Sequence, residues 1–312
     1  MKSMFRLQDV GYEKNSVITI GTFDGVHLAH QQIIREVVAR AKKRNGRSVV
    51  VTFEPHPREV LAPSRDIKLL TTAEERRDAI ASLGVDVLYS IAFDQSMSQK
   101  SSRDFYSEYI INGIGVSEVV EGYDHHWGHN REGTISSLVA LGNEFDFSVV
   151  RIEPFFHDGV IVSSSVIREA LTQGNVHLAG IFLGSLYSLD GTVIVGDKRG
   201  RTLGYPTANL DVATKRKLIP KNGIYFVRVR LERESFFGMA SVGVRPTFYQ
   251  NGQQLIEVHI LDFNRDIYGK SISVQYIQRL RDELKFQSVD ALIHQMKMDE
   301  ELSRQYMAAS QS

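Results

Sequence analysis

The sequence predicts an α/β protein: a parallel sheet with helices on both faces, followed by a small antiparallel β-barrel with a C-terminal helix. Two observations support this prediction. Up to about residue 175, apolar strand patterns alternate with helical patterns, which is typical of a parallel sheet. After about residue 185, short β-rich runs are separated by Gly, Asn or Asp, which is typical of an antiparallel barrel. We place the boundary near residues 172–175, which gives domains 1–180 and 181–312.

Each expected element has its own signal. The parallel strands are short apolar runs: Val17–Ile20, Ser48–Thr52, Val87–Ala92, Glu118–Glu121 and Phe147–Ile152. The helices between them begin or end with capping residues: Gln31–Arg44, Thr72–Leu83 and Ser101–Ile111. The barrel strands are Gly191–Val195, Ile224–Leu231, Gly238–Val244, Leu255–Leu261 and Ser271–Ile277. A last helix, Val289–Met307, follows Ser288 as a plausible N-cap.

Composition excludes several classes of protein. The chain has 312 residues, enough for two cores, and its 37 basic residues balance its 37 acidic ones. No global basic field therefore exists to attract nucleic acid or an anionic membrane. With no cysteine, disulfides, thiolate zinc sites and cysteine nucleophiles are excluded. No apolar run approaches the roughly 18 residues that span a bilayer, and no signal-peptide core is visible. We expect a cytoplasmic protein, a monomer or weak oligomer.

The segment Gly21–His30 gives the clearest chemical signal. It joins an apolar strand to an amphipathic helix, and its glycines let backbone N–H groups face a phosphate at the helix N-terminus. His27 and His30 project from one face of the first helical turn. Two alternatives stay open: a metal site with Asp24 as third ligand, and plain N-terminal histidines bonded to a carbonyl.

This segment resembles the (H/T)xGH signature of the nucleotidylyl transferases, in the G-x-F-D-G-V-H-x-G-H form of bacterial FAD synthetases. The resemblance implies a Rossmann-like nucleotidylyl transferase domain in which His27 and His30 stabilise the transition state. It also implies an ATP-phosphate site at Gly21, Phe23, Asp24 and Gly25. One position departs from the family, because Ala29 replaces a glycine and adds a methyl group where phosphates approach.

Two further segments of the first half resemble the same synthetases. Phe53–Pro57 matches F-x-P-H-P, and the resemblance implies that His56 faces the flavin, although a structural turn also explains the prolines. Gly122–Gly133 matches G-x-D-F-x-F-G-x-x-x-x-G, and the resemblance implies that Asp124 and Trp127 bind the flavin. His125 and Trp127 replace the usual phenylalanines of this pattern. The pattern does not explain the histidines His125, His126 and His129, which leave a zinc alternative that lacks a ligand from a second element.

Ile161–Arg168 resembles the I-S-S-T-x-I-R motif of that family. A serine cluster caps a helix, and its hydroxyl and N–H groups can hold a phosphate. The resemblance implies that Ser163, Ser164 and Ser165 bind ATP phosphates. Arg168, one turn into the helix, is expected to neutralise the departing pyrophosphate. A simple capped helix explains the serines equally well, but it does not predict the arginine.

The second half contains a glycine-spaced basic loop that ends in Pro-Thr-Ala-Asn. It follows a strand but opens no helix, so neither a P-loop nor a dinucleotide fingerprint fits. The Gly-Arg-x-x-Gly-x-Pro-Thr-Ala-Asn string resembles riboflavin kinases. That resemblance implies ATP-phosphate contacts at Gly196, Lys198, Gly200, Arg201 and Gly204. It also implies that Thr207 and Asn209 hold magnesium and phosphate.

Glu257 lies in a strand whose period of two puts it on the face opposite Ile256 and Val258. Most such glutamates simply face solvent. The resemblance to riboflavin kinases, which continues through Leu261–Gly269 and the C-terminal helix, implies instead that Glu257 is the general base. It also implies a flavin contact for Arg281.

Nearly the whole chain resembles the bacterial bifunctional riboflavin kinase/FAD synthetase family. The resemblance implies ATP, riboflavin, FMN and FAD as substrates and products. Magnesium would accompany ATP, and no tightly bound prosthetic group is expected. Two alternatives stay open: a kinase with a weakened or altered N-terminal transferase, and a non-enzymatic flavin- or RNA-binding module.

Overall fold

The structure is a computed structural model that describes residues 1–64, 67–123, 133–196, 200, 203–244 and 254–311. The chain divides into two compact units, Met1–Ser164 and Ser165–Ser312. The predicted limits at residues 180 and 181 stay a prediction, because two helices lie between this division and the first barrel strand.

The first unit is built on a six-stranded parallel sheet. Its strands are β1 (Lys2–Met4), β2 (Ser16–Ile20), β3 (Arg47–Glu54), β4 (Val87–Ala92), β5 (Glu118–Gly122) and β6 (Ser148–Ile152). Their order is β1-β4-β3-β2-β5-β6, so the chain moves outward from β2 and then returns to its other side at β5. In such sheets ligands bind at the carboxyl ends of the strands where the direction of winding reverses, here β2 and β5.

Helices cover both faces of this sheet. They are α1 (Leu7–Val10), α2 (Leu28–Lys43), α3 (Pro57–Leu61), α4 (Ala73–Ser82), α5 (Gln95–Ser98), α6 (Ser102–Phe105), a π-helix (Tyr106–Ile114) and α7 (Ile135–Phe145). A short antiparallel pair, β7 (Phe156–His157) and β8 (Val160–Ile161), precedes α8 (Ser164–Thr172). The predicted helix over 101–111 is therefore α-helical only in its first turn and then widens to the π form.

Apolar side chains form a separate core on each face of the sheet. Ile34 and Val38 of α2 and Ile80 of α4 pack with Val50 and Leu88 of the strands. On the other face, α6, the π-helix and α7 pack against the strands. The strand residues are Ile18, Ile20, Val49, Val51 and Tyr89, and the helix residues are Phe105, Tyr106, Ile110, Ile114, Leu138 and Leu141. Burial on both faces explains why these strands are nearly continuous apolar runs.

The second unit contains a closed barrel of six antiparallel strands, and with it the predicted fold class is confirmed. The barrel strands follow α9 (Val176–Leu183). They are β9 (Tyr187–Ile194), β10 (Ala208–Val212), β11 (Gly223–Leu231), β12 (Glu234–Val244), β13 (Gln254–Ile260) and β14 (Ser271–Arg281). Their order is β10-β13-β12-β11-β14-β9. The last helix, α10 (Val289–Gln311), packs on the outside of the barrel, where Tyr306 stacks on Phe226 at 5.8 Å between ring centroids.

Candidate active sites

The turn after β2 has an unusual backbone. Phe23, Gly25 and Val26 have φ angles of 48°, 87° and 40°. A positive φ is unfavourable for a bulky or β-branched residue, so the surrounding structure must stabilise this conformation. The Phe23 ring is buried in the core under α2, and a Cβ at Gly21 would lie 3.0 Å from it. Gly21 and Phe23 thus shape the turn, and their predicted contacts with ATP phosphates stay predictions.

The two histidines lie together at the start of α2. His27 is the N-cap, and its Nδ1 accepts a hydrogen bond from the His30 N–H at 3.4 Å. The neutral His27 ring therefore carries its proton on Nε2. The two rings stack with centroids 3.6 Å apart, and the Phe23 ring meets His30 edge-on at 5.2 Å. Both imidazoles thus lie at the positive end of a 16-residue helix, where phosphate binding is favourable.

Asp24 is buried, with only 1% of its surface exposed. Its carboxylate accepts hydrogen bonds from the N–H groups of Leu70 and Thr71, the nearest at 3.0 Å, and from the Thr71 hydroxyl at 3.2 Å. These contacts occupy the oxygens that the metal alternative needed. In the described part of the chain, no group of three or more His, Cys, Asp or Glu side chains could hold a metal ion. The predicted role of Asp24 at the ATP phosphates stays a prediction.

The serine cluster reaches the same turn. The Ser164 hydroxyl donates a hydrogen bond to the Asp24 carbonyl oxygen at 2.9 Å, and α8 begins at Ser164. Ser163 immediately precedes this helix, Ser165 is exposed in its first turn, and Arg168 follows one turn in. The structure thus brings Ser164 to the Gly21–His30 turn.

A buried carboxylate lies at the end of β5. Glu121 is fully buried and accepts a hydrogen bond from the Tyr106 hydroxyl of the π-helix at 3.3 Å. Burial raises the pKa of Tyr106 well above its usual value, so the hydroxyl keeps its proton and remains a donor. This pair stabilises the strand end that leads into Gly122 and Tyr123, next to the β2 turn in the sheet.

His56 is 5% exposed and acts as the N-cap of α3, where its Nδ1 accepts a hydrogen bond from the Arg58 N–H at 3.1 Å. Next to it, the Glu54 carboxylate pairs with the buried Arg76 guanidinium. The predicted flavin contact of His56 stays a prediction.

Four of the predicted site residues lie outside the described residues: Asp124, Trp127, Lys198 and Arg201. The histidines His125, His126 and His129 lie outside them as well.

The barrel aligns the predicted kinase residues across its strands. Asn209 on β10 lies directly opposite Glu257 on β13, and Glu257 lies directly opposite Ser241 on β12. Directly opposed residues of antiparallel strands have Cβ atoms about 4.5–5.5 Å apart on one face. The same row continues through Ile224 to Arg281, which lies opposite Ile224 on β14. The strand register thus places five residues in one row across the barrel: Asn209, Glu257, Ser241, Ile224 and Arg281.

Asn209 is 4% exposed, and its Oδ1 accepts no hydrogen bond from the described residues. A Cβ at Gly196 would lie 2.1 Å from the Asn209 Nδ2, so glycine leaves the space that the amide fills. An unsatisfied buried oxygen is costly unless a ligand completes it. The amide oxygen of Asn209 is therefore available to a bound ligand beside Glu257.

The loop before β10 is held by local hydrogen bonds. The Gly200 carbonyl accepts from the N–H groups of Leu203 and Tyr205, and Gly204 lies in the turn between them. The His259 Nδ1 donates to the Pro206 carbonyl at 2.9 Å, which fixes the residue before Thr207. Burial raises the pKa of the Tyr205 hydroxyl, with a further increase from Glu300.

A cavity of about 370 Å³ opens beside Thr207. Its walls include the apolar side chains of Val193, Val258, Ile260 and Phe263, with Asn264 and Asp266 at the polar part. Cavities of this size with a few polar groups are typical of small-molecule sites.

Arg281 has a partner on α10. Its guanidinium donates to the Asp299 carboxylate at 2.6, 2.9 and 3.0 Å, and both side chains are largely buried. This pair ties the end of β14 to the last helix. The predicted flavin contact of Arg281 stays a prediction.

Sequence reasoning missed three residues of these sites: Thr71, Ser241 and His259. Thr71 bonds to a residue 47 positions away, and no local pattern indicates that contact. Ser241 is placed by barrel register, which short strands do not reveal. The period of two places His259 on the same face as Glu257, but its bond to the Pro206 carbonyl, 53 positions away, has no local signal.

The fold and these sites define a two-domain transferase class. It has a parallel-sheet domain with two histidines at a helix N-terminus where the winding reverses, and a barrel domain with a carboxylate beside an available amide oxygen. Comparison with known proteins gives the same division: the FAD synthetase family model matches residues 10–166, and the riboflavin kinase family model matches residues 183–307.

Similar proteins match this chain over nearly their whole length. The bifunctional riboflavin kinase/FMN adenylyltransferase of Listeria monocytogenes is 40% identical over 296 residues, which cover 94% of this chain and 93% of that protein. The Bacillus subtilis protein of the same name is 35% identical over 301 residues, covering 95% and 94%. The chain belongs to the family of bifunctional riboflavin kinases/FMN adenylyltransferases. It is a transferase with both activities, which decides against the weakened-transferase and non-enzymatic alternatives.

A solved structure described as a macrolide-efflux protein from Streptococcus pneumoniae has the same fold. Its TM-score is 0.88 at 35% identity, and the match covers 97% of this chain and 98% of that one. Within the described residues of this chain, no helix is long and apolar enough to cross a membrane. As an ATP-dependent kinase and adenylyltransferase, the family uses a divalent metal ion.

Proposed function

We propose that the two reactions use the two sites described above. Riboflavin phosphorylation is assigned to the row of Asn209 and Glu257 on the barrel. Adenylyl transfer to FMN is assigned to the Gly21–His30 turn and the start of α8. The observation that supports this division most strongly is the direct pairing of Asn209 with Glu257, which brings a metal ligand next to a general base.

Glu257 is the base of the kinase reaction. It accepts the proton of the riboflavin 5′-hydroxyl as that oxygen forms a bond to the γ-phosphorus of ATP. The bond between the γ-phosphorus and the bridging oxygen breaks, and ADP leaves with the electron pair. General base catalysis of this kind contributes about 10²–10⁴-fold to the rate. Positioning and charge stabilisation supply most of the rest.

Thr207 and Asn209 would hold Mg²⁺ in this site. Their hydroxyl and amide oxygens are hard ligands of the type that Mg²⁺ prefers, and the Asn209 Oδ1 accepts no hydrogen bond from the described residues. When bound, Mg²⁺ neutralises charge on the ATP phosphates. Few protein ligands suffice, because Mg²⁺ usually keeps several waters and binds substrate phosphates.

The cavity beside Thr207 is the proposed adenine site of the kinase. Its apolar walls suit a flat heterocycle, and its polar residues can bond ring nitrogens. Phosphates of an ATP held there would extend toward Thr207 and the loop of Gly196, Lys198, Gly200, Arg201 and Gly204.

Adenylyl transfer requires no covalent enzyme intermediate. A phosphate oxygen of FMN attacks the α-phosphorus of ATP, the bond to the β-phosphate bridge breaks, and pyrophosphate leaves. His27 and His30 stabilise the charge that develops at the α-phosphate. Ser163, Ser164, Ser165 and Arg168 hold the pyrophosphate, while His56, Asp124 and Trp127 bind the flavin.

ATP, riboflavin, FMN and FAD are the proposed small-molecule partners, with no tightly bound prosthetic group. Because both reactions consume ATP, we place the protein in the cytoplasm. We propose a monomer or weak oligomer, which sedimentation over a range of protein concentrations measures directly.

Two substitutions test the division of labour. Glu257→Gln should lower FMN formation by about 10²–10⁴-fold and leave FAD synthesis from supplied FMN unchanged. His30→Ala should do the reverse. Glu232→Gln is the matched control, because the Glu232 side chain is exposed and forms a surface ion pair with Lys270. Chromatography of the flavins measures each step separately. Loss of both activities in either variant would contradict separate sites.

A further inference from the structure

Three segments far apart in sequence meet at Asp24. The first is the Gly21–His30 turn, which contains Asp24. The second is Leu70 and Thr71 just before α4, and the third is Ser164 at the start of α8. Leu70 and Thr71 lie within the residues that the FAD synthetase family model matches, but in none of the motifs singled out in the sequence. Their contacts therefore need an explanation of their own.

The Asp24 carboxylate is enclosed by donors. Oδ1 accepts from the Leu70 N–H at 3.0 Å, the Thr71 N–H at 3.0 Å and the Thr71 hydroxyl at 3.2 Å, and Oδ2 lies 3.1 Å from the Leu70 N–H. Leu70 itself is 1% exposed. The segment at 70–71 therefore holds the Asp24 carboxylate in one orientation.

The Thr71 hydroxyl links two consecutive residues of the turn. It donates to Asp24 and accepts from the Gly25 N–H at 3.0 Å. Gly25 lies between Phe23 and Val26, the two non-glycine residues of the turn with positive φ. A single hydroxyl therefore supports the strained part of the turn directly before His27.

We infer that Thr71 and Asp24 are positioning residues for adenylyl transfer. They hold the turn so that His27 and His30 face the α-phosphate, and Asp24 itself touches no substrate. This inference rests on the proposed assignment of adenylyl transfer to the turn. The Ser164 hydroxyl is attached to the same turn through its hydrogen bond to the Asp24 carbonyl.

Small displacements matter at such a site. Misplacing a reacting group by about 1 Å can lower the rate by about 10²-fold. Without the Thr71 hydroxyl, the Gly25 N–H loses its bond and the Asp24 carboxylate loses one donor, so the turn can relax. The expected effect is on kcat of FAD synthesis more than on the stability of the domain.

Thr71→Val tests this role, because valine keeps the shape of threonine and replaces its hydroxyl with a methyl group. FAD synthesis from FMN should fall in kcat by about 10–100-fold. Thr71→Ser keeps the hydroxyl and should stay within about threefold of the unaltered protein. FMN formation from riboflavin, measured on the same samples, should be unchanged in both variants.

Thr72→Val is the matched structural control. Thr72 is the N-cap of α4 and forms a capping box with Glu75, so its loss weakens the start of a helix next to the same segment. It should nevertheless leave kcat for FAD synthesis within about threefold. Hydrogen exchange of the Gly25 amide should accelerate in Thr71→Val and not in Thr72→Val.

The positioning role is wrong if Thr71→Val retains the original kcat, or if Thr72→Val loses as much activity as Thr71→Val. Unchanged Gly25 exchange in Thr71→Val would also contradict it. If the unaltered protein makes no FAD from FMN and ATP, the proposed function fails, and the positioning role fails with it. Thr71→Ser distinguishes a hydroxyl effect from a general effect of substitution at this position.

Discussion

At the scale of single residues, some predicted ligand-binding residues bond to other parts of the chain. Asp24 looks like a phosphate or metal ligand in the sequence, yet its carboxylate is bound to the chain at 70–71. His56 likewise caps a helix. Motif position identifies which residues matter, but hydrogen-bond partners decide how they act.

Ala29 is the residue where this chain departs from the FAD synthetase motif. It lies in the first turn of α2, and in the sequence it falls between His27 and His30, whose rings stack on each other. Ala29→Gly should preserve or raise kcat/KM for FAD synthesis, because it removes a methyl group near the phosphates. Glycine near a helix end costs less than the roughly 1 kcal/mol of a helix interior.

Ala81→Gly controls for the loss of helix propensity, because Ala81 is exposed near the end of α4. Steady-state kinetics with FMN and ATP measure the effect. A clear loss of activity in Ala29→Gly, with none in Ala81→Gly, would show that alanine suits this site.

At the scale of elements, the last helix depends on a few ionic contacts. Asp299 is 5% exposed and accepts from Arg281 and from the Gln295 amide at 2.9 Å. Nearer the C-terminus, Arg304 bonds to Asp262, and this pairing lowers the pKa of the Asp262 carboxyl. The two pairs attach α10 to the barrel at separate points.

Asp299→Ala should destabilise the barrel domain by about 3 kcal/mol, because it leaves the Arg281 guanidinium largely buried without its carboxylate. Glu301→Ala on the exposed face of the same helix should change stability by less than about 0.5 kcal/mol. Denaturant unfolding of both variants measures the difference. Equal stability of the two variants would show that the Arg281–Asp299 pair does not anchor the helix.

Elements with strong periodicity could be predicted from the sequence, and short or irregular ones could not. The largely buried strands β2 to β5 and the partly buried edge strand β6 are rich in apolar residues, so each is visible locally. β1 has three residues and the β7–β8 pair has two residues in each strand, too few for a pattern. β10 (Ala208–Val212) is not among the predicted strands, because its first two residues belong to the Pro-Thr-Ala-Asn string. That string is interpreted for its chemistry and not as part of a strand.

The contacts that assemble each site depend on tertiary structure. Period two in β13 shows that Glu257 and His259 share a face, but only the barrel register places Asn209 opposite Glu257. In the same way, the partners of Asp24 lie 46 and 47 residues away. Local sequence carries no information on such pairings, since they follow from how strands and loops pack.

At the scale of the whole molecule, the central claim is that one chain carries two separate sites for consecutive reactions. The product of the barrel site, FMN, is the substrate of the sheet site. Each site has its own proposed catalytic residues, and the two family models match largely separate compact units. If the two sites are separate, FMN made by one chain can be converted to FAD by another chain.

Complementation between two inactive chains tests this claim most directly. Glu257→Gln and His30→Ala proteins are incubated, alone and mixed, with riboflavin, ATP and Mg²⁺, and the flavins are followed by chromatography. We predict that Glu257→Gln alone makes almost no FMN or FAD, that His30→Ala alone stops at FMN, and that the mixture makes FAD. A mixture that makes no FAD, or FAD formation by either protein alone at the original rate, would contradict two separate sites.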